Sequence, residues 1–102
     1  MGVDRRLKHK DRKALLLEQA MVVASKQGYA QFTRKNLADR AKVHTTLVTY
    51  YFGNMNKLRN CIMREAVRTN NYTIVGQGLA NRDPIAKKAS PYIRRKALEQ
   101  LQ

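Results

Sequence analysis

Acidic residues are scarce in this chain. Its 102 residues hold 7 Asp and Glu against 21 Lys and Arg, a formal charge of +14. No acid occurs at positions 40–64. So basic a chain repels itself when compact, and its natural partner is a polyanion, with nucleic acid ahead of an anionic membrane. The single cysteine, Cys61, excludes an intrachain disulfide and hence a disulfide-stapled secreted scaffold. No apolar run approaches the roughly 20 residues of a membrane span. The basic N-terminus is not followed by the apolar core of a signal peptide. The expected location is cytoplasmic, at the nucleoid, with no membrane partner.

Catalytic groups are equally sparse. The two histidines, His9 and His44, each lack a second ligand at metal spacing. The acids are scattered and make no carboxylate pair for general acid–base work. Gly76 and Gly78 alone do not make a phosphate loop. Cys61 falls on an apolar helical stripe, where it reads as a small core hydrophobe. No catalytic residue, metal or cofactor is expected, and the chain does not read as an enzyme.

What is present is helical patterning. Apolar residues make up 43%, too many for a disordered basic tail. Residues 1–13 carry Arg5, Arg6, Lys8, Lys10, Arg12 and Lys13 against two acids, which predicts a basic arm merging into a helix. From Asp11 to Gln27, Leu16, Leu17, Ala20, Val23 and Ala24 recur at spacings of three and four, one face of a helix. Gly28 suits a left-handed cap. Thr33 is a good N-cap for a short helix from Arg34 to about Ala41. A third helix is predicted from Thr45 to Phe52, closed by Gly53-Asn54. A fourth runs from Met55 to about Asn70, with Leu58, Cys61, Ile62 and Ala66 on one stripe. Asn70-Asn71, Gly76 and Gly78 predict a break over 71–83. Asp83-Pro84 and Ser90-Pro91 each read as an N-cap followed by proline in the first turn. The last segment places Ile93, Ala97 and Leu101 on one stripe. Nothing alternates as a strand would. The expected fold is all-α. A three- or four-helix domain spans residues 14–70, and a short helical extension spans 71–102, either a dimerisation element or a segment that packs back on the first and fourth helices.

Two short helices joined by a tight turn suggest a helix-turn-helix. Ala38 supplies the small residue at their crossing. Leu37, Ala41, Val43, Val48 and Tyr51 point into the shared core. His44, Thr45, Thr46, Leu47, Thr49 and Tyr50 are left facing outward, toward a major groove. A solvated helix normally mixes both charge signs, and this outward face has no acid.

At this point the chain resembles a known family. The run Gly28-Tyr29, Phe32-Thr33, Leu37-Ala38, Ala41-Lys42-Val43-His44, Leu47-Val48-Thr49-Tyr50-Tyr51-Phe52-Gly53-Asn54 and Lys57-Leu58 is similar to the N-terminal DNA-binding domain of TetR-type repressors. The resemblance covers about residues 12–65, and Leu-Val-x-Tyr-Tyr-Phe-Gly is its most specific piece. It implies that Arg34 and Lys35 lie against phosphates or reach a base. It places Thr45, Thr46 and Leu47 near base edges, and Tyr50 or Tyr51 on phosphate. Thr49 belongs to the same outward face. Three positions depart from the pattern. Lys42 stands where the family has glycine, so a lysine takes a left-handed backbone and gains reach to a phosphate. His44 replaces serine, at the groove face. Met55 replaces a phosphate-gripping lysine, a role that Lys57 is placed to take.

The resemblance implies a sequence-specific regulator of transcription, a repressor that binds double-stranded DNA as a homodimer on a palindromic operator. About 37 residues follow Glu65, too few for the family's ligand-binding domain, so no small-molecule inducer is expected. Two other readings share the basic charge. One is an adaptor that targets polymerase or another regulator. The other is a non-specific architectural DNA-binding protein.

Overall fold

A computed structural model describes residues 9–100 as seven helices with no strand among them. They are α1 (His9–Gln27), α2 (Arg34–Ala41), α3 (Thr45–Phe52), α4 (Met55–Arg68), α5 (Tyr72–Ala80), α6 (Pro84–Lys87) and α7 (Pro91–Glu99). Residues 1–8, most of the expected basic arm, and Leu101 of the expected C-terminal stripe lie outside the described residues. Positions 9–13, assigned to the arm, are already helical.

Local chemistry accounts for the first four helices. In α1 the predicted stripe is the buried one: Leu16, Ala20, Val23 and Ala24 enter the core. The helix ends at Gly28, whose φ of 103° needs a residue without Cβ. The loop that follows is pinned by Tyr29 and Phe32, both buried. Thr33 and Asn36 then close a capping box around the start of α2: the Thr33 hydroxyl accepts from the Asn36 N–H at 3.1 Å, and Asn36 Oδ1 accepts from the Thr33 N–H at 2.8 Å. Asn54 caps α4 by accepting the Lys57 N–H at 2.9 Å. Leu58, Ile62 and Ala66 fill the core from α4 as their spacing predicts, while Cys61 is only half-buried.

The predicted break over 71–83 is a helix, α5. The two asparagines that suggested a break are adjoining caps. Asn70 takes the left-handed conformation (φ 58°) and ends α4, with the Asn71 N–H bonded to the Ala66 carbonyl at 2.8 Å. Asn71 then starts α5 by accepting the Ile74 N–H at 3.2 Å. The glycines serve packing rather than a turn. A Cβ on Gly78 would lie 2.2 Å from Met63 Cε and 3.1 Å from Ala86 Cβ. Gly78 is therefore what lets α5 approach α4 and α6 this closely, at a cost in helix propensity of roughly 1 kcal/mol.

Both proline signatures mark the starts of separate helices. Asp83 Oδ1 accepts from the N–H groups of Ile85 and Ala86, at 2.9 and 3.0 Å, to cap α6. Ser90 accepts from the Ile93 N–H at 3.3 Å to cap α7. The C-terminal segment folds back on the rest: α5 packs on α4 and α1, and α7 packs on α5 through the fully buried Ala97 and the half-buried Ile93. One continuous apolar cluster thus runs from Leu16 to Ala97.

Candidate nucleic-acid interface

The α2–α3 pair is built as its sequence predicts. Leu37, Ala38 and Val48 are buried at the crossing. The connection is a left-handed cap on a lysine: Lys42 has φ 61° and ψ 44°. Its N–H meets the Asp39 carbonyl at 3.3 Å, and the Val43 N–H meets the Ala38 carbonyl at 3.0 Å, the paired bonds of a Schellman turn. Lys42 pays for this conformation with roughly 1–2 kcal/mol of backbone strain, and its side chain is left exposed at the corner of the motif. Ala41 and Val43, expected in the core, are only partly buried at its edge.

The N-termini of α2 and α3 open on one cleft. Arg34, Lys35, Thr45, Thr46 and Thr49 line it, together with Thr33 and Met55. Neither helix has an acid in its first turn, so the positive ends of both helix dipoles are unopposed by a carboxylate there. Arg34 is aimed by a neighbour: its guanidinium donates to the Thr49 hydroxyl at 2.8 Å. Lys35 is engaged with Asp39 at 2.9 Å, both side chains largely exposed. Such a surface pair is weak and readily exchanged for another anion. His44 is the N-cap of α3, yet its side chain makes no capping bond. The imidazole is exposed beside the helix start.

His44, Thr46, Leu47 and Tyr50 form a second, more apolar patch on the outer face of α3. Tyr50 is 67% exposed, whereas Tyr51 is buried at 8%. The two rings meet edge to face with centroids 5.1 Å apart, so the core tyrosine braces the exposed one. Leu47, placed on the outward face by its spacing, is half-buried and packs against the core edge. Phe52 is buried, with the Lys13 ammonium 5.7 Å from its ring centroid.

Of the eleven residues singled out in the sequence, eight line the cleft or the patch. Tyr51 backs Tyr50 from the core, Lys42 stands at the α2–α3 corner, and Lys57 lies apart. It is exposed and borders none of these clefts, its side chain lying along Gly53, where a Cβ would sit 2.9 Å from Lys57 Cδ. Two contributors were not singled out as site residues. Thr33 and Met55 form cleft wall; for position 55 the resemblance carries the signal, as the place of a phosphate-gripping lysine. The segment from Arg34 to Lys57 holds five cations and one acid, Asp39. Among the described residues no group of three or more His, Cys, Asp or Glu could hold a metal, and no helix is long and apolar enough to cross a membrane.

A cationic cleft at two helix N-termini beside an exposed Thr/Tyr face is an arrangement for gripping phosphate and reading a groove. Residues 16–60 match the family described as "Bacterial regulatory proteins, tetR family". No curated protein and no solved structure matches the chain. The matched segment runs from the buried face of α1 through the whole of α2 and α3 into α4, and covers the cleft entirely. The match, 45 of the 102 residues, supports a TetR-type helix-turn-helix DNA-binding domain over residues 16–60.

Proposed function

We propose that the chain is a transcriptional repressor that binds a palindromic operator as a homodimer, with α3 of each copy in the major groove. The observation that carries this reading is the outward face of α3: His44, Thr45, Thr46, Thr49 and Tyr50 are all exposed, with no acid among them, on a helix whose other side is core. Thr45, Thr46 and the exposed part of Leu47 approach base edges, where their methyl groups suit thymine. Arg34, Lys35 and Lys42 neutralise phosphates, and Tyr50 hydrogen-bonds to one. Tyr51 acts through its hydroxyl only, its ring being core. His44 contacts a phosphate or a base at the start of α3. Lys57, set apart from the cleft, reaches the flanking backbone. Residues 71–102 are proposed as the dimerisation element. Two-fold symmetry then sets two recognition helices one helical turn of DNA apart.

Selection from a random DNA pool at about 150 mM salt, with competitor DNA, tests the reading. An enriched inverted repeat is the expected outcome. Binding that fades with salt and enriches no sequence would leave only a non-specific architectural role. Lys35→Ala is expected to weaken binding to all sequences, and Thr46→Ala to change the preference among them.

A further inference from the structure

A groove of about 560 Å³ runs between α1 and the α2–α3 corner, within the roughly 300–1,000 Å³ of ligand sites. Its floor is apolar: Leu15 and Leu16 from α1, Val43 from the turn and Leu47 from α3. Leu15 is 52% exposed. A single exposed leucine is ordinary, but this one borders the partly buried Val43 and Leu47, so the apolar surface is continuous. Three cations, Arg12, Arg40 and Lys42, stand around it, and no carboxylate lines it. Arg40 is held in place by Gln19, whose Oε1 accepts from its Nε at 2.8 Å.

DNA does not account for this groove. Phosphates match the cations but gain nothing from Leu15 or Val43. A second copy of this +14 chain has the wrong sign, and so do residues 1–8, with Arg5, Arg6 and Lys8 against Asp4. The matching surface has an apolar stripe flanked by carboxylates. We propose that this groove docks an acidic amphipathic helix of a partner protein. Its leucine-like side chains seat on Leu15, Val43 and Leu47, and its carboxylates pair with Arg12, Arg40 and Lys42. Lys42 and Leu47 also belong to the proposed DNA face, so helix and DNA exclude each other. That exclusion alone rests on the functional reading above.

The probe is a fluorescent synthetic helix of about four turns, glutamate-rich, with leucines spaced three and four apart. Its control is a permuted peptide of the same composition with no apolar stripe. Anisotropy is followed with the protein alone, without DNA. The amphipathic peptide is expected to bind at least about tenfold more tightly than the permuted one. Leu15→Ser is expected to remove that advantage, while Leu98→Ser, at an exposed leucine on α7, keeps it. Circular dichroism confirms that both variants are folded. Equal binding of the two peptides, no binding of either, or an unchanged affinity in Leu15→Ser would overturn the groove as a docking site. Failure of the peptide to displace DNA, with Leu15-dependent binding intact, would instead overturn the DNA roles of Lys42 and Leu47.

Discussion

The hydroxyl of Tyr29 donates a hydrogen bond to the buried carboxylate of Asp83, 54 residues further along the chain. The same loop is tied a second time, where the Tyr29 N–H donates to Gln77 Oε1. Asp83 spends its other oxygen on capping α6. One carboxylate therefore joins the loop between α1 and α2, inside the DNA-binding domain, to the start of the C-terminal helices. The two parts share one apolar core beside this contact.

That contact sets the first prediction. Tyr29→Phe removes the donor to one oxygen and leaves the α6 cap in place, at an expected cost of about 1–2 kcal/mol. Asp83→Ala removes cap and acceptor together and is expected to cost about 2–4 kcal/mol. Urea unfolding of both variants measures the difference. Equal losses would show that the cap contributes nothing.

The same tyrosine carries a pH dependence. Burial, then the hydrogen bond to Asp83, raises the Tyr29 hydroxyl above its ordinary value of 10.0. The folded state thus holds this proton more tightly than the unfolded state does. The stabilisation is complete below pH 10 and is lost as pH rises above it toward the raised folded value. Stability measured from pH 8 to 11 is therefore expected to fall less steeply in Tyr29→Phe than in the parent. Parallel curves would mean that Tyr29 keeps an ordinary pKa.

Gly78 gives a packing prediction. Gly78→Ala places a methyl group against Met63 Cε and Ala86 Cβ. Met63 is fully buried, so its terminal methyl must shift within the core, and Ala86 Cβ at 3.1 Å narrows the space further. The expected cost is about 1–3 kcal/mol, despite alanine's better helix propensity. In a Met63→Ala background the same substitution should cost less, by roughly 1 kcal/mol or more. Additive losses would show that Ala86, not Met63, sets the limit.

These cases mark what a sequence can disclose here. The first four helices were legible because their signals are local: Thr33 with Asn36, Asn54 with Lys57, and Leu16, Ala20, Val23 and Ala24 on one stripe. The cleft was legible for the same reason, since one face of α3 fixes the other. α5 was not. Its asparagines and glycines carry the local signature of a break, and only the approach of Met63 and Ala86 gives Gly78 its purpose. The Tyr29–Asp83 bond and the α1–α3 groove are likewise products of packing between distant segments. No window of sequence contains both halves of either.

The last prediction concerns how Arg34 is aimed. Its guanidinium is fastened to the Thr49 hydroxyl, across the cleft from one helix to the other. If Arg34 grips DNA from that position, Thr49 acts partly through it. Arg34→Ala is expected to weaken operator binding about tenfold or more and to lower the salt slope by about one counterion. Thr49→Val keeps the shape of the side chain and removes the acceptor. It is expected to lose several-fold in affinity in the parent and almost nothing once Arg34 is alanine, because the group it positions is gone. Thr49 making its own bond to DNA predicts a different result, the same loss in both backgrounds. A double-mutant cycle read by fluorescence anisotropy at two salt concentrations separates the two roles. Within the parent, the arginine would then owe its orientation to a threonine that need not touch the nucleic acid.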